Sequence, residues 1–358
     1  MTHRILALIL LTAASTLRAG PLGDEIRKQI DDYENSVRAN TLKIIHATSE
    51  EEKAKYRSTI PSAEPCVKKL MELVKANPED ADAVKAVTWL AISGASYPEG
   101  QEALRLLTEK YAASAGIAET VKQFEYRGLS AEPFLKAVVE KNTNRPELAA
   151  ALYALGAVHF KNYDTALDKA TVEASKKTAM ESFQRLAAEF SDVTIQGFKL
   201  NDQASKMLFE MANLQPGCEA PAIQGKDQDG KECKLSDYRG KHVVIAFWGG
   251  WCHACHGLMP ILSAYAQESQ AKPIAVLGVN TDLESEARNA IAQNGANFRH
   301  ILDNTNSGPN TTLYAPRAFP TLHLIGPDGI ILLKNSSLEA IRQRIEADLA
   351  AKAGAAGK

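Results

Sequence analysis

Between Asp24 and about Asn213, apolar residues recur at three- and four-residue spacings with little β-branched alternation, a pattern that predicts helices. Breakers such as Ile60-Pro61, Asn77-Pro78, Tyr97-Pro98, Arg127-Gly128 and Arg145-Pro146 cut it into helices of ordinary length. The first, Asp24 to about Arg57, is long and highly charged, and is expected to wrap or cap the others. Leu214-Gln215-Pro216-Gly217 marks a join, beyond which strands alternate with helices. A hairpin is expected near Ala222 to Leu235, turned at Gln228-Asp229-Gly230, then a buried strand His242 to Trp248 and a helix Cys252 to about Gln270. A strand Ile274 to Asn280, a helix Leu283 to Gln293, a short strand Arg299 to Leu302 and a helical turn around Thr311 follow. Thr321 to Ile325 and Ile330 to Leu333 read as an antiparallel hairpin, followed by a helix Ser337 to Leu349 and, from Ala350 to Lys358, a frayed tail.

The helical half contains an echo. Ser62-Ala63-Glu64-Pro65 returns as Ser130-Ala131-Glu132-Pro133, and the same 68-residue offset pairs Lys68 with Lys136, Glu72 with Glu140, Pro78-Glu79 with Pro146-Glu147, and Ala81 with Ala149. Leu104, Leu107 and Tyr111 match Phe183, Leu186 and Phe190 at a longer offset, which the polar stretch Asn162 to Thr171 would absorb. Sixty-eight is twice 34, the period of stacked tetratricopeptide hairpins, and the region 24–213 resembles a divergent array of that kind. Such an array implies either a concave surface for a protein partner or a spacer or dimerisation arm.

With 41 basic and 43 acidic residues the chain is almost neutral, and no basic run is present to pair with a phosphate backbone, so nucleic acid is not expected as a partner. Met1-Thr2-His3-Arg4, an uncharged run Ile5 to Leu17 and Arg18-Ala19-Gly20-Pro21 form the three zones of a secretion signal over 1–19. Cleavage is expected after Ala19, with an uncleaved anchor as the alternative. Export would place the chain in the periplasm or outside the cell, where disulfides persist. The five cysteines are too few for a disulfide-built scaffold. Cys66 lies on an apolar helix face, as a buried inert thiol would. Cys218 and Cys233 flank the hairpin, and a bridge between them stays open.

Only Cys252 and Cys255 are close, in Phe247-Trp248-Gly249-Gly250-Trp251-Cys252-His253-Ala254-Cys255-His256. A dithiol that exchanges with other proteins needs one accessible thiol of lowered pKa and a second to attack the mixed disulfide. The first turn of a helix lowers a thiol pKa through unpaired amides and the macrodipole, which favours Cys252 as nucleophile and Cys255 as resolving thiol. Gly249-Gly250 would permit the tight strand-to-helix turn. His253 and His256 could tune the thiolate when protonated, or stand exposed without such a role. Metal capture is the competing chemistry, because cysteine and histidine ligands crowd one helical turn; no second Cys-X-X-Cys exists to close a zinc site, and with His300 and His323 as the later histidines and His323 soon after Pro320, copper capture by the reduced dithiol plus a histidine is the form it would take.

These residues, with Pro216-Gly217-Cys218-Glu219-Ala220-Pro221, Asp229-Gly230-Lys231, Leu235-Ser236-Asp237-Tyr238-Arg239-Gly240-Lys241, Ala318-Phe319-Pro320-Thr321 and Gly326-Pro327-Asp328-Gly329, resemble the TlpA/ResA-type, AhpC/TSA-related branch of the thioredoxin-like superfamily. The resemblance covers about residues 214–349. It implies an α/β domain with a central mixed sheet, a cis Pro320, backbone groups of Phe319 that receive a substrate peptide, and Trp251 shielding the disulfide. It also implies protein thiol or disulfide substrates, an upstream thiol donor, a reducing direction and no cofactor beyond the redox-active disulfide itself. Ala246 stands where many thioredoxins bury an acid, and Leu258 where close relatives carry a glutamate, so proton movement around Cys255 would rely on water or His256. A peroxidase of the related peroxiredoxin type would need Thr or Ser at Gly249 and Pro at Ile245. A helical scaffold carrying a passive thioredoxin-like module is the non-enzymatic alternative.

Overall fold

The structure, a computed structural model, describes residues 20–165 and 168–356. The expected signal segment 1–19 lies outside the described residues. Among those described, no helix is long and apolar enough to cross a membrane. The chain divides into two compact units between Ser205 and Lys206.

The first unit is built from helices. α1 (Pro21–His46) and α2 (Glu50–Ser58) replace the single helix expected to run to Arg57. The break is a capping arrangement: Ser49 is extended, its hydroxyl accepts from the Glu52 amide at 3.1 Å, and the Glu52 carboxylate accepts from the Thr48 amide at 3.0 Å. α3 (Glu64–Ala76) and α4 (Ala83–Ser93) follow, and the Trp89 indole donates to buried Glu34 at 2.9 Å, tying α4 to α1. Then come α5 (Pro98–Leu106), α6 (Ala118–Gln123), α7 (Glu132–Lys141), and the long α8 (Arg145–Thr165) and α9 (Lys169–Glu189), which pack against each other.

The echo is visible at its first helix. α3 and α7 both open on Glu-Pro, with proline in the first turn where its missing amide costs nothing, and both carry an i,i+4 ion pair, Glu64–Lys68 and Glu132–Lys136. It lapses at the second. Pro146-Glu147 lies in the first turn of α8, whereas Pro78-Glu79 sits in a turn before α4. Asn142 makes the difference: it accepts from the Asn144 amide and donates to the carbonyls of Ala112 and Ser114, so α8 starts at once. The helical pattern also hid a small hairpin, β1 (Thr194–Ile195) with β2 (Phe198–Lys199), turned by Gln196 and Gly197 at φ 50 and 79. α10 (Leu200–Asn213) contains the division between units, ahead of the join at Leu214; its last turn buries Glu210, and the following Leu214 joins a core of the second unit.

The second unit is an α/β layer structure. A hairpin, β3 (Gln224–Lys226) and β4 (Glu232–Lys234), precedes a five-stranded mixed sheet made of β5 (His242–Trp248), β6 (Ile274–Asn280), β7 (Arg299–Leu302), β8 (Thr321–Ile325) and β9 (Ile331–Leu333). Its order is β7-β6-β5-β8-β9, with β5, β6 and β7 parallel and β8 and β9 antiparallel. β5 is buried along its whole length, which its unbroken apolar run encodes. Val244, Ala246 and Trp248 face one core with Met259 and Leu262 of α11 (His253–Glu268) and Ile341 and Ile345 of the last helix. Val243, Ile245 and Phe247 face the other, with Leu277, Val279 and Tyr314. α12 (Glu284–Gln293) and α13 (Pro309–Tyr314) fill the connections. α14 (Leu338–Ala356) runs through most of the segment expected as a frayed tail, because its alanines favour helix and no breaker stops it until Gly354 is passed.

Candidate active site

β5 ends at Trp248, whose carbonyl accepts from the amide and the hydroxyl of Thr281 at 3.0 and 3.1 Å. The chain then turns into α11. Neither Gly249 nor Gly250 has positive φ, so the glycines are required by close approach and not by the turn itself. A Cβ at Gly249 would strike the Trp251 indole, and one at Gly250 would lie 2.7 Å from the Ala290 methyl.

Cys252 is the N-cap of α11 in an extended conformation, and Cys255 lies in its first turn. The two form a disulfide with Cα atoms 5.3 Å apart. Cys255 is fully buried and Cys252 keeps 7% of its surface, so of the pair only Cys252 touches solvent. Trp251 is 53% exposed and packs edge-on against Phe319, ring centres 5.1 Å apart, while its indole N–H donates to Thr281 Oγ1 at 3.2 Å. The Phe319–Pro320 peptide is cis. Phe319 packs against both cores, and the Thr321 hydroxyl donates to Ala318 O at 2.6 Å, closing this loop on itself.

His253 and His256 are exposed, ring centres 5.6 Å apart. His256 Nε2 lies 2.8 Å from Gly250 O; a carbonyl only accepts, so Nε2 carries a proton and the ring braces the turn before Cys252. Three residues escaped the sequence reading, Asn280, Thr281 and Asp282 at the end of β6. Both oxygens of buried Asp282 accept from the Gly250 amide, at 3.0 and 2.8 Å, and Asn280 Nδ2 donates to the same carboxylate at 2.7 Å. Gly250 is therefore held from both sides, by Asp282 at its amide and by His256 at its carbonyl. The signal available was polar residues closing the apolar run Val276-Leu277-Gly278-Val279.

The later histidines do not reach the sulfurs. His323 pairs in register with Ile245 and packs against Phe247 and Tyr314, on the face of the sheet away from the cysteines. His300 Nδ1 accepts from the Trp248 indole at 3.1 Å, and its Nε2–H donates to Ala296 O at 2.9 Å, so both ring nitrogens are occupied. A histidine supplement to the dithiol for copper is thus not built from these two side chains. Cys218 and Cys233 are unbridged, and Cys66 is buried in α3.

Behind the cis loop lies a buried charge cluster. Glu210 Oε1 meets Lys334 Nζ at 2.7 Å and Arg317 at 2.8 Å, with the Glu210 and Lys334 side chains 8% and 6% exposed. Arg317 sits two residues before Phe319, so α10 grips the loop that faces the disulfide.

The AhpC/TSA family profile matches residues 216–333. The thiol-disulfide oxidoreductase ResA of Geobacillus thermodenitrificans is 31% identical over 134 residues, 36% of this chain and 76% of that protein. ResA of Bacillus subtilis is 28% identical over 121 residues, 34% of this chain and 66% of its own length. A crystal structure of a putative thiol:disulfide interchange protein DsbE from Chlorobium tepidum is 31% identical, covers 37% of this chain and 96% of its own, and superposes with a TM-score of 0.35. By its second unit, the chain belongs to the ResA-like thiol-disulfide oxidoreductases of the AhpC/TSA family.

Proposed function

We propose that Cys252 and Cys255 form the redox centre of an exported reductant of protein disulfides. The observation that carries the reading is the asymmetry of the pair: a cysteine that still touches solvent at the N-cap position of a helix, beside an exposed tryptophan, and a partner sealed beneath it. In the reduced protein the Cys252 thiolate attacks one sulfur of a client disulfide. The client's other sulfur leaves as a thiolate and takes a proton. Cys255, once deprotonated, attacks Cys252 Sγ, releases the client's second thiol and closes the Cys252–Cys255 disulfide, so two electrons pass to the client. An upstream thiol donor returns the pair to the dithiol.

Trp251 and Phe319 would frame the entering peptide, with backbone groups at Phe319-Pro320 as its hydrogen-bonding edge. His256 is the titratable side chain positioned to steady the turn and to move a proton near the sulfurs; His253 would act on the thiolate through its charge alone. Cleavage after Ala19 would deliver the chain to the periplasm or the exterior. The first unit would hold a protein partner, and the exposed Leu42, Ile45, Tyr126 and Phe198 supply apolar surface for one. Insulin-reduction turbidity decides the chemistry. Wild type should precipitate the insulin B chain and Cys252→Ser should not; equal, negligible signals from both would leave the scaffold reading. Glutathione equilibration of the Cys252–Cys255 pair then decides direction, a strongly oxidising potential overturning the reductant assignment.

A further inference from the structure

Beside the turn that leads into Cys252, a groove of about 1010 Å³ opens at Gly250, Trp251 and His256 and runs along α12 to Asn306. Trp251 and Leu283, both just over half exposed, give it apolar surface. Along the groove, Asn289 and Gln293 stand one turn apart on α12, exposed, and among the described residues neither side-chain amide has a hydrogen-bond partner. The lining carries two acids and no lysine or arginine. Asp282 is committed to the Gly250 amide and Asn280, which leaves Glu286 as the charge facing the groove.

We infer that this groove receives the extended chain on one side of the client's reacting cysteine, and that it favours clients with a lysine or arginine close to that cysteine. The inference rests on the thiol-exchange reading. A carboxamide both donates and accepts, so it pairs with peptide N–H and C=O whatever the client's side chains are. The spacing fits: four residues of α-helix rise roughly 6 Å, close to the repeat of about 6.7 Å between alternate residues of an extended strand. Asn289 and Gln293 can therefore meet successive same-side groups of one peptide while its cysteine reaches Cys252. The Trp251 and Leu283 faces bury the aliphatic stem of a basic side chain, and Glu286 meets its head.

The test uses the full-length chain carrying Cys255→Ser and Cys218→Ser, so that Cys252 is the accessible thiol, and two peptides whose single cysteine is disulfide-bonded to thionitrobenzoate, differing only in lysine or glutamate at the positions flanking that cysteine. Cys252 thiolate attacks the peptide sulfur, the peptide–thionitrobenzoate bond breaks, and the released coloured thiolate gives the rate. The lysine peptide should react about fivefold faster at low salt, the ratio falling towards one in high salt and inverting in Glu286→Lys. Asn289→Ala with Gln293→Ala should slow both peptides severalfold and keep the ratio. A ratio near one at low salt, a ratio indifferent to Glu286→Lys, or unchanged rates in the double variant would overturn the inference. The symmetric thionitrobenzoate disulfide, too small to span α12, separates the two readings. If it too fails to react, thiol exchange at Cys252 is itself refuted; if it reacts while the peptides show no groove dependence, only the groove assignment falls.

Discussion

At the scale of single residues, the site depends on hydrogen bonds whose donors and acceptors are fixed. Asp282→Ala would leave the Gly250 amide and the Asn280 carboxamide without their acceptor, costing about 1–3 kcal/mol. The expected result is a fall of several degrees in the calorimetric transition and slower insulin reduction, with Asp282→Asn intermediate. His300 gives a pH dependence whose sign is set by burial. Desolvation lowers its pKa to about 4, against 6.5 when exposed, and only the neutral ring can accept from the Trp248 indole. His323 is likewise lowered to about 4, by burial first and then by Lys334. Because the unfolded chain takes up these protons before the folded one does, stability present above pH 6.5 is lost as pH falls towards 4. Unfolding free energies from urea titrations across that window should decline by an amount of the order of a few kcal/mol, and His300→Gln should flatten the decline. Gly278 belongs to the same arrangement, since a Cβ there would occupy the His300 ring.

Among the secondary-structure elements, α10 is the one whose last turn bears on the site. Glu210 is a buried carboxylate facing two cations, one of them beside the cis loop. Glu210→Gln keeps the shape and removes the charge, so it should cost about 3 kcal/mol or more and also depress insulin reduction through Arg317; intact stability would show that the cluster is balanced without it. The strands and helices of the second unit were legible because the switch from a 3.6 to a 2.0 period, and the unbroken apolar run of β5, are local signals. The dithiol was legible for the same reason. The break at Ser49 was present as a Ser-x-x-Glu box but hidden by a continuous charged periodicity. Asn280, Thr281 and Asp282 were not legible, because their part in the site comes from β6 lying parallel beside β5, a pairing between residues about 30 positions apart that no local pattern records. Glu210 was missed for the same reason over a longer separation.

Over the whole molecule, the helical unit and the redox unit each have their own core. Cleavage after Ala19 would turn the Gly20 nitrogen, which donates to Asp82 at 3.0 Å, into an ammonium facing a carboxylate that Lys85 already holds below its usual range. Intact mass of the exported chain should start at Gly20, and Asp82→Asn should destabilise that mature form more than one carrying extra residues ahead of Gly20. The three unbridged cysteines have a practical consequence. Cys66, buried, has its thiol pushed up to about 11, and burial raises Cys233 as well, while Cys218 alone is partly accessible. Native oxidised molecules should therefore take up one maleimide readily, at Cys218, and reduced ones two, at Cys218 and Cys252, so that gel-shift stoichiometry in intact cells reads the occupancy of each redox form without purification or a client.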